Sequence, residues 1–332
     1  MLSAIQLPRL AFVPALGALD VIMVDQDGAQ PSASNPIPID FRSPTETGGG
    51  IERASLISPS IITIPNGATL GVPKPNQPFK IWVVEFNADG AVIPGVINCA
   101  NGGGGFGTST ATFYPLKGRG IASSVQIGVA SDAESVFYTA GAAVLNAPYT
   151  VIGYFVYAGG LASIGDWASA PTHVQGFEPG VALPGQVDFT HVYERNGTAA
   201  SGAGAISLTG TPLVTDGAMF MDNPVTPKVP ACLIRCRLSA EFNVSVNNEA
   251  VSMALFRDSA FLGAVGTHVR VNGIHLLTME RAFHYPGGNS IVLSMRAGAT
   301  TPGVVTNFNS LSGAPLYGGA AASYMLVDEV AM

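Results

Sequence analysis

Residues Phe79–Ile97 read FKIWVVEFNADGAVIPGVI, and the choice between helix and strand for this stretch decides the fold. Phe79 to Phe86 is rich in β-branched and aromatic residues, the types that suit a pleated strand. NADG follows, and its Asp89-Gly90 pair accommodates the positive φ angles of a tight turn. Ala91 onward then returns as a second strand. The stretch predicts a β-hairpin.

The same punctuation runs through the whole chain. Short β-branched and aromatic runs are interrupted by Gly, Pro, Asn and Asp about every ten residues, and helical periodicity is almost absent. CLIRCRLSAEFNVSV alternates, with Cys232, Ile234, Cys236, Leu238 and Ala240 on one face and Arg235, Arg237 and Ser239 on the other. SIVLSMRAGA behaves alike, Ile291, Leu293 and Met295 pointing inward and Ser294 and Arg296 outward. The end of the chain differs. SYMLV places four large apolar residues, Tyr324 to Val327, in succession just before Asp328 and Glu329. Both faces of that strand are expected to be buried, although a strand near a terminus usually lies at a sheet edge.

Breakers divide the chain into three segments. Residues 1–52 are rich in Pro, Ala and Ser, end in SPTETGGG and are expected to form an extended anchoring arm. Residues 53–182 form a first β-sandwich unit. GFEPGVALPGQ then reads as a linker into residues 183–332, a second β-sandwich, jelly-roll-like in size and strand spacing. The fold class is all-β.

Composition narrows the function. Charged residues are 11% of the chain, against about 25% in ordinary soluble domains. Hydrophobic residues are 47%, yet no run approaches the roughly 20 apolar residues of a spanning helix, so membrane insertion is not expected. Surfaces this poor in charge suit burial against other subunits. With net charge −7 and scattered Lys and Arg, the basic footprint of a nucleic-acid binder is missing. Cys99, Cys232 and Cys236 give no disulfide framework and read as buried apolar residues in a reducing compartment. At the N-terminus Pro8, Arg9 and Pro14 break the pattern of an export signal.

Chemistry is harder to find. Gly102, Gly104 and Gly107 in NGGGGFG match a dinucleotide fingerprint, but a β-prone segment ending in proline follows where a helix should open. Asp25 and Asp27 start like a calcium loop, but the distal Glu is absent and a turn is expected. His268, His275 and His284 lack the spacing of a shared metal site. Asp328 and Glu329 fall on opposite faces of one strand and so cannot act as a glycosidase pair. Asp132, Glu134, Asp166 and Glu178 are the carboxylates that a hidden glycan-cleaving site would draw on. No catalytic residue, cofactor or metal is expected.

The closing segment FNSLSGAPLYGGAAASYMLVDEV, preceded in order by MALFRDS and SMRAGA, resembles a C-terminal module widespread in tailed-bacteriophage virion proteins. KIWVVEFNADGAVIPGVIN, SDAESVFYTAGAAVLNAPYTVIGYFVY and GDWASAPTHVQGF resemble a second recurrent phage-tail module, with Trp82 and Trp167 as core anchors. The resemblance implies a structural virion protein of the tail fibre or spike type, assembled in the host cytoplasm. Its C-terminal head would be a jelly-roll-like homotrimer similar to tumour-necrosis-factor-like heads. Residues 1–52 would dock on other virion proteins, and the β-domains would attach to a host-surface glycan or protein receptor. Tyr324, Met325, Leu326 and Val327 are then the expected trimer interface; no receptor-binding residue is singled out. The alternatives are a head fibre or capsid decoration protein, and a host-glycan depolymerase.

Overall fold

Asp89 and Gly90 adopt φ angles of 51° and 89°. Together they form the two-residue turn of the hairpin, whose ladder closes at Ala88 opposite Ala91. The Gly90 amide donates to Asn87 Oδ1 at 2.9 Å. The first strand therefore runs Phe79–Ala88, two residues beyond the sequence reading, and the second Ala91–Ile97. The computed structural model describes residues 8–45, 49–72, 74–101, 112–196, 200–229, 232–246, 248–269, 273–285, 290–311, 314–315 and 322–332. The protein is all-β: these residues contain strands, turns and loops and no helix.

In the first unit the hairpin lies inside a seven-stranded sheet. Phe79–Ala88 pairs with Ala91–Ile97 on one side and with Ala147–Tyr157 on the other. One face of this sheet packs through Ile81, Val83 and Phe155. The opposite face packs through Trp82, Val84 and Phe86 against Phe137 and Tyr149. Burial on both faces explains why the strand carries a continuous apolar run instead of an alternation. It also places Lys80 and Glu85 in the interior, 5% and 0% exposed.

The N-terminal segment differs from the extended arm expected for it. Arg9–Ala15 and Ala18–Val24 form a hairpin that joins Ile61–Ile64 in a three-stranded sheet, and Ile37–Arg42 pairs with Ile51–Leu56. Leu19, Val21, Met23, Ile37, Ile39 and Phe41 belong to the same buried cluster as Ile81 and Trp167. The prolines that suggested an irregular arm are compatible with this pairing. Pro14 lies on Arg9–Ala15, a sheet-edge strand, where a missing N–H costs little.

The second unit is a sandwich of a six-stranded and a four-stranded sheet. In the larger sheet the order is Val187–Asn196, Ala322–Val330, Cys232–Val244, Thr306–Phe308, Ala200–Gly202, and His275–Tyr285 also pairs with Cys232–Val244. The smaller runs Ala218–Val225, Ile291–Ala299, Glu249–Arg257, Ala260–Val269. Between them lie Cys236, Leu238, Met253, Leu255, Leu293, Met295, Met325 and Val327.

The expected linker is packed rather than free. Phe177 donates its amide to the Ile152 carbonyl, and Phe177, Val181 and Leu183 lie on the Trp82 side of the first unit. The last residues close the junction between the units. Gly185 and Ala331 bond through their backbones, as do Ala331 and Gln186. Trp82 Nε1 donates to the Met332 carbonyl at 2.9 Å.

Candidate assembly surface

The closing strand, Ala322–Val330, is not at an edge. It is hydrogen-bonded to Val187–Asn196 on one side and to Cys232–Val244 on the other. Within one copy, burial alternates along SYMLV. Ser323, Met325, Val327 and Glu329 point into the sandwich, while Tyr324, 39% exposed, and the half-buried Leu326 point outward. Met325 and Val327 are fully enclosed by the chain's own core, so of the four expected interface residues only Tyr324 and Leu326 face outward.

The acidic pair that follows is split by the same alternation. Asp328, on the outer face, accepts from Thr190 Oγ1 at 2.8 Å, from Arg235 Nε and Nη2 at 3.1 and 2.9 Å, and from Arg237 Nη2 at 2.9 Å. Burial pushes its pKa up, but the Thr190 hydroxyl and the two guanidiniums outweigh that and hold it below the usual carboxylate value. Glu329 points inward and accepts from the amides of Lys228 and Val229 at 2.8 and 2.7 Å and lies 2.6 Å from His191 Nε2. Each carboxylate is consumed by its own cradle, and they stand on opposite faces as expected. Both serve structure.

The acidic turn is closed on itself, and the histidines lie on two strands of different sheets. Asp25 Oδ1 accepts from the amides of Asp27 and Ala29, and its Oδ2 from Asn35 Nδ2 at 2.6 Å, so the acidic loop is a self-satisfied turn. His268 pairs opposite Ala250 in the four-stranded sheet and His275 opposite Phe242 in the six-stranded one; His284 occupies the register position opposite Leu233. Among the described residues no group of three potential metal ligands forms. Asp132 and Glu178 are exposed, Glu134 and Asp166 half-buried, and Asp166 Oδ1 caps the Ala168 amide. Gly102, Gly104 and Gly107 lie outside the described residues. Cys99, Cys232 and Cys236 are free and buried. Burial pushes the Cys232 and Cys236 thiols up to about 12, far from reactive thiolates.

What stands out is a contrast between the two outer faces of the second unit. Over the four-stranded sheet the chain folds back on itself: Ile206 and Val214 cover Ala254 and Phe256. Arg296 anchors this cover by donating to the carbonyls of Asp216 and Gly217 at 2.7 and 2.9 Å. The six-stranded sheet carries apolar groups in the open on its outer face, Val192 at 58%, Leu276 at 60% and Tyr324 at 39% exposure. Rows of residues cross it in register. Val192, Leu326, Arg237 and Glu280 form one row; Tyr324, Ser239 and Thr278 lie in the next. Arg235 beside Ala282 and Glu241 beside Leu276 occupy the rows beyond on either side. Sequence reasoning identified the arginines as outward-facing. It missed Val192 and Leu276, whose alternating neighbours in VDFTHVYERN and HLLTMERAFHY carry the signal.

No protein-family model matches the chain, and no curated protein matches it either. Several solved structures are similar at low superposition quality. The infectious bursal disease virus VP2 subviral particle aligns over 100% of this chain and 79% of its own, at 9% identity and a TM-score of 0.26. Dimeric latent PorU from Porphyromonas gingivalis aligns over 77% of this chain and 24% of its own, at 10% identity and a TM-score of 0.27. A glycoside hydrolase family 43 arabinoxylan arabinofuranohydrolase from Bacillus subtilis aligns over 97% and 79%, at 12% identity and a TM-score of 0.23.

Proposed function

We propose that this chain is a structural subunit of a tailed-bacteriophage particle, a tail-associated fibre or spike protein that works in many copies to attach the particle to its host. The observation that carries the reading is the second unit's six-stranded sheet. Its inner face is a closed core, while its outer face leaves Val192, Tyr324 and Leu276 in water beside paired arginines. A face of that kind suits a protein finished by neighbours. Asp328 and Glu329 are held in structural cradles and the cysteines are buried, which fits a role in scaffolding and contact. Repetition then supplies affinity: weak receptor contacts on each copy combine into strong avidity.

Labelling intact particles with an antibody against this chain tests the reading, together with adsorption of the particles in the presence of excess purified protein. Label at the tail and slowed adsorption are expected. Label confined to the head, or adsorption indifferent to a saturating amount of the protein, would overturn it.

A further inference from the structure

At one side of the second unit both sheets end in a strand paired along one edge only, Ala260–Val269 in the smaller sheet and His275–Tyr285 in the larger. Between these strands and residues 206–212 runs an open groove of about 1100 Å3. Pockets that take small ligands measure roughly 300–1,000 Å3. Two arginines enter the groove from positions that belong to the core. Arg281 is in register with Cys236 and Arg257 with Leu293, and both of those partners point into the sandwich. Cross-strand partners share a face, so the arginines point inward too. Each reaches across to the opposite sheet. The Arg257 guanidinium lies 5.1 Å from the centre of the Phe283 ring. The Arg281 side chain lies over Gly263, where a Cβ would collide with its Nε. Phe283 follows Arg281 by two residues on the same face, a spacing of about 6.6 Å, so both cations stand in one part of the groove.

No carboxylate balances them. Arg53, Arg235 and Arg237 each hold an aspartate, whereas Arg257 and Arg281 form no ion pair among the described residues. Arg281 spends one N–H on the Glu280 carbonyl at 2.8 Å. Glu280 lines the same groove, but its register partner is Arg237 on the outer face. Two like charges turned into one crevice repel, and an anion between them removes that cost. Guanidinium forks match the two oxygens of a carboxylate. The rest of the groove indicates what carries the anion. Ser207, Thr209 and Thr211 present hydroxyls along one wall, and the Phe261 ring, 36% exposed, lies on the other. Ala260, Gly263, Ala264 and Gly266 give a floor of small residues. An extended peptide would need pockets there for its alternate side chains. A sugar ring needs a flat apolar contact with hydroxyl-bonding groups around it.

We propose that this groove binds an acidic saccharide, with a carboxylate of the sugar held between Arg257 and Arg281 and its rings lying along the strand edge beside Phe261. Gly263 belongs to the site, because any side chain there would push Arg281 aside. The inference deepens the proposed function by naming a ligand class for attachment, and it rests on that reading for where the ligand is met. Binding in solution does not.

Isothermal titration calorimetry of the purified full chain with trigalacturonate and with sialyllactose tests it. The chain should bind at least one of them, and should bind the uncharged counterpart, the methyl ester or lactose, at least about tenfold more weakly. Arg257→Gln and Arg281→Gln, which drop the charge and keep a polar amide, should weaken binding by a similar factor. Hydrogen exchange of the unaltered chain gives a reading that needs no variant to fold: the bound acid should protect residues 206–212 and 260–266. Failure of both acids to bind, equal affinity for the neutral counterparts, or undiminished binding by both arginine variants would each overturn the site. So would protection confined to other residues, or equal affinity for sulfate or for a poly-glutamate peptide. None of these results bears on where the labelled chain sits on the particle, so this proposal and the function above fail separately.

Discussion

Single residues in the interior carry the sharpest consequences. Glu85 is 0% exposed, its Oε1 accepts from Ser60 Oγ at 2.7 Å, and its Oε2 has no partner. Burial, only partly offset by the Ser60 hydroxyl, pushes its pKa up to about 8. The folded chain therefore holds the Glu85 proton more tightly than the unfolded chain does. Stability falls as pH rises from the unfolded value near 4.5 to about 8, by up to roughly 1.4 kcal/mol per pH unit, and levels off above that. Glu85→Gln should be more stable than the parent at pH 8, with the gain shrinking toward pH 5; chemical denaturation at both pH values checks this. A gain independent of pH would mean that Glu85 is not the titrating group. Asp328 has the opposite sign. Its pKa is lowered, so its contribution is present above about pH 4 and is lost as acid takes the solution through the lowered folded value. Asp328→Asn should cost roughly 2 kcal/mol at pH 7, because two guanidiniums lose the negative charge they share. The cost should shrink in acid.

At the scale of elements, the hairpin turn is the cleanest test. Gly90 sits at φ 89° with open space where a Cβ would go. Gly90→Ala therefore meets backbone strain alone and should cost about 1 kcal/mol in a thermal melt. This element was legible in sequence because Asp-Gly between β-prone runs has a single good geometry. The alternation of Cys232–Val244 was legible for the same kind of reason: period two admits one assignment once one face is apolar. The closing strand was legible only in part, because hydrophobicity alone does not say which face the chain itself covers. Tyr324 and Leu326 are large and apolar yet look outward, and the sequence carries no mark of which neighbours flank them. The first 52 residues were misread because proline was weighed as a breaker. An edge strand tolerates it, and the alternation of Leu19, Val21 and Met23 was the better signal.

In the whole molecule, the chain's last residues bind its two units together. Trp82 of the first unit donates to Met332, and Leu233, Val330 and Met332 pack as one cluster. Trp82→Phe keeps most of the apolar volume but drops that hydrogen bond. It should loosen the junction, increasing proteolytic cleavage between residues 176 and 186 while each sandwich stays folded. A junction that depends on long-range contacts between residues about 250 apart leaves no local pattern, so this part of the structure could not be read from the sequence. The uncovered face lies on the same unit, and its state tests most directly whether the second sandwich is finished by neighbouring copies. Hydroxyl-radical footprinting at low and high protein concentration compares Tyr324 with its neighbour Met325. Met325 should resist oxidation at both concentrations, and Tyr324 should react when dilute and become protected as concentration rises. Equal reactivity of Tyr324 at both concentrations, or ready oxidation of Met325, would contradict it.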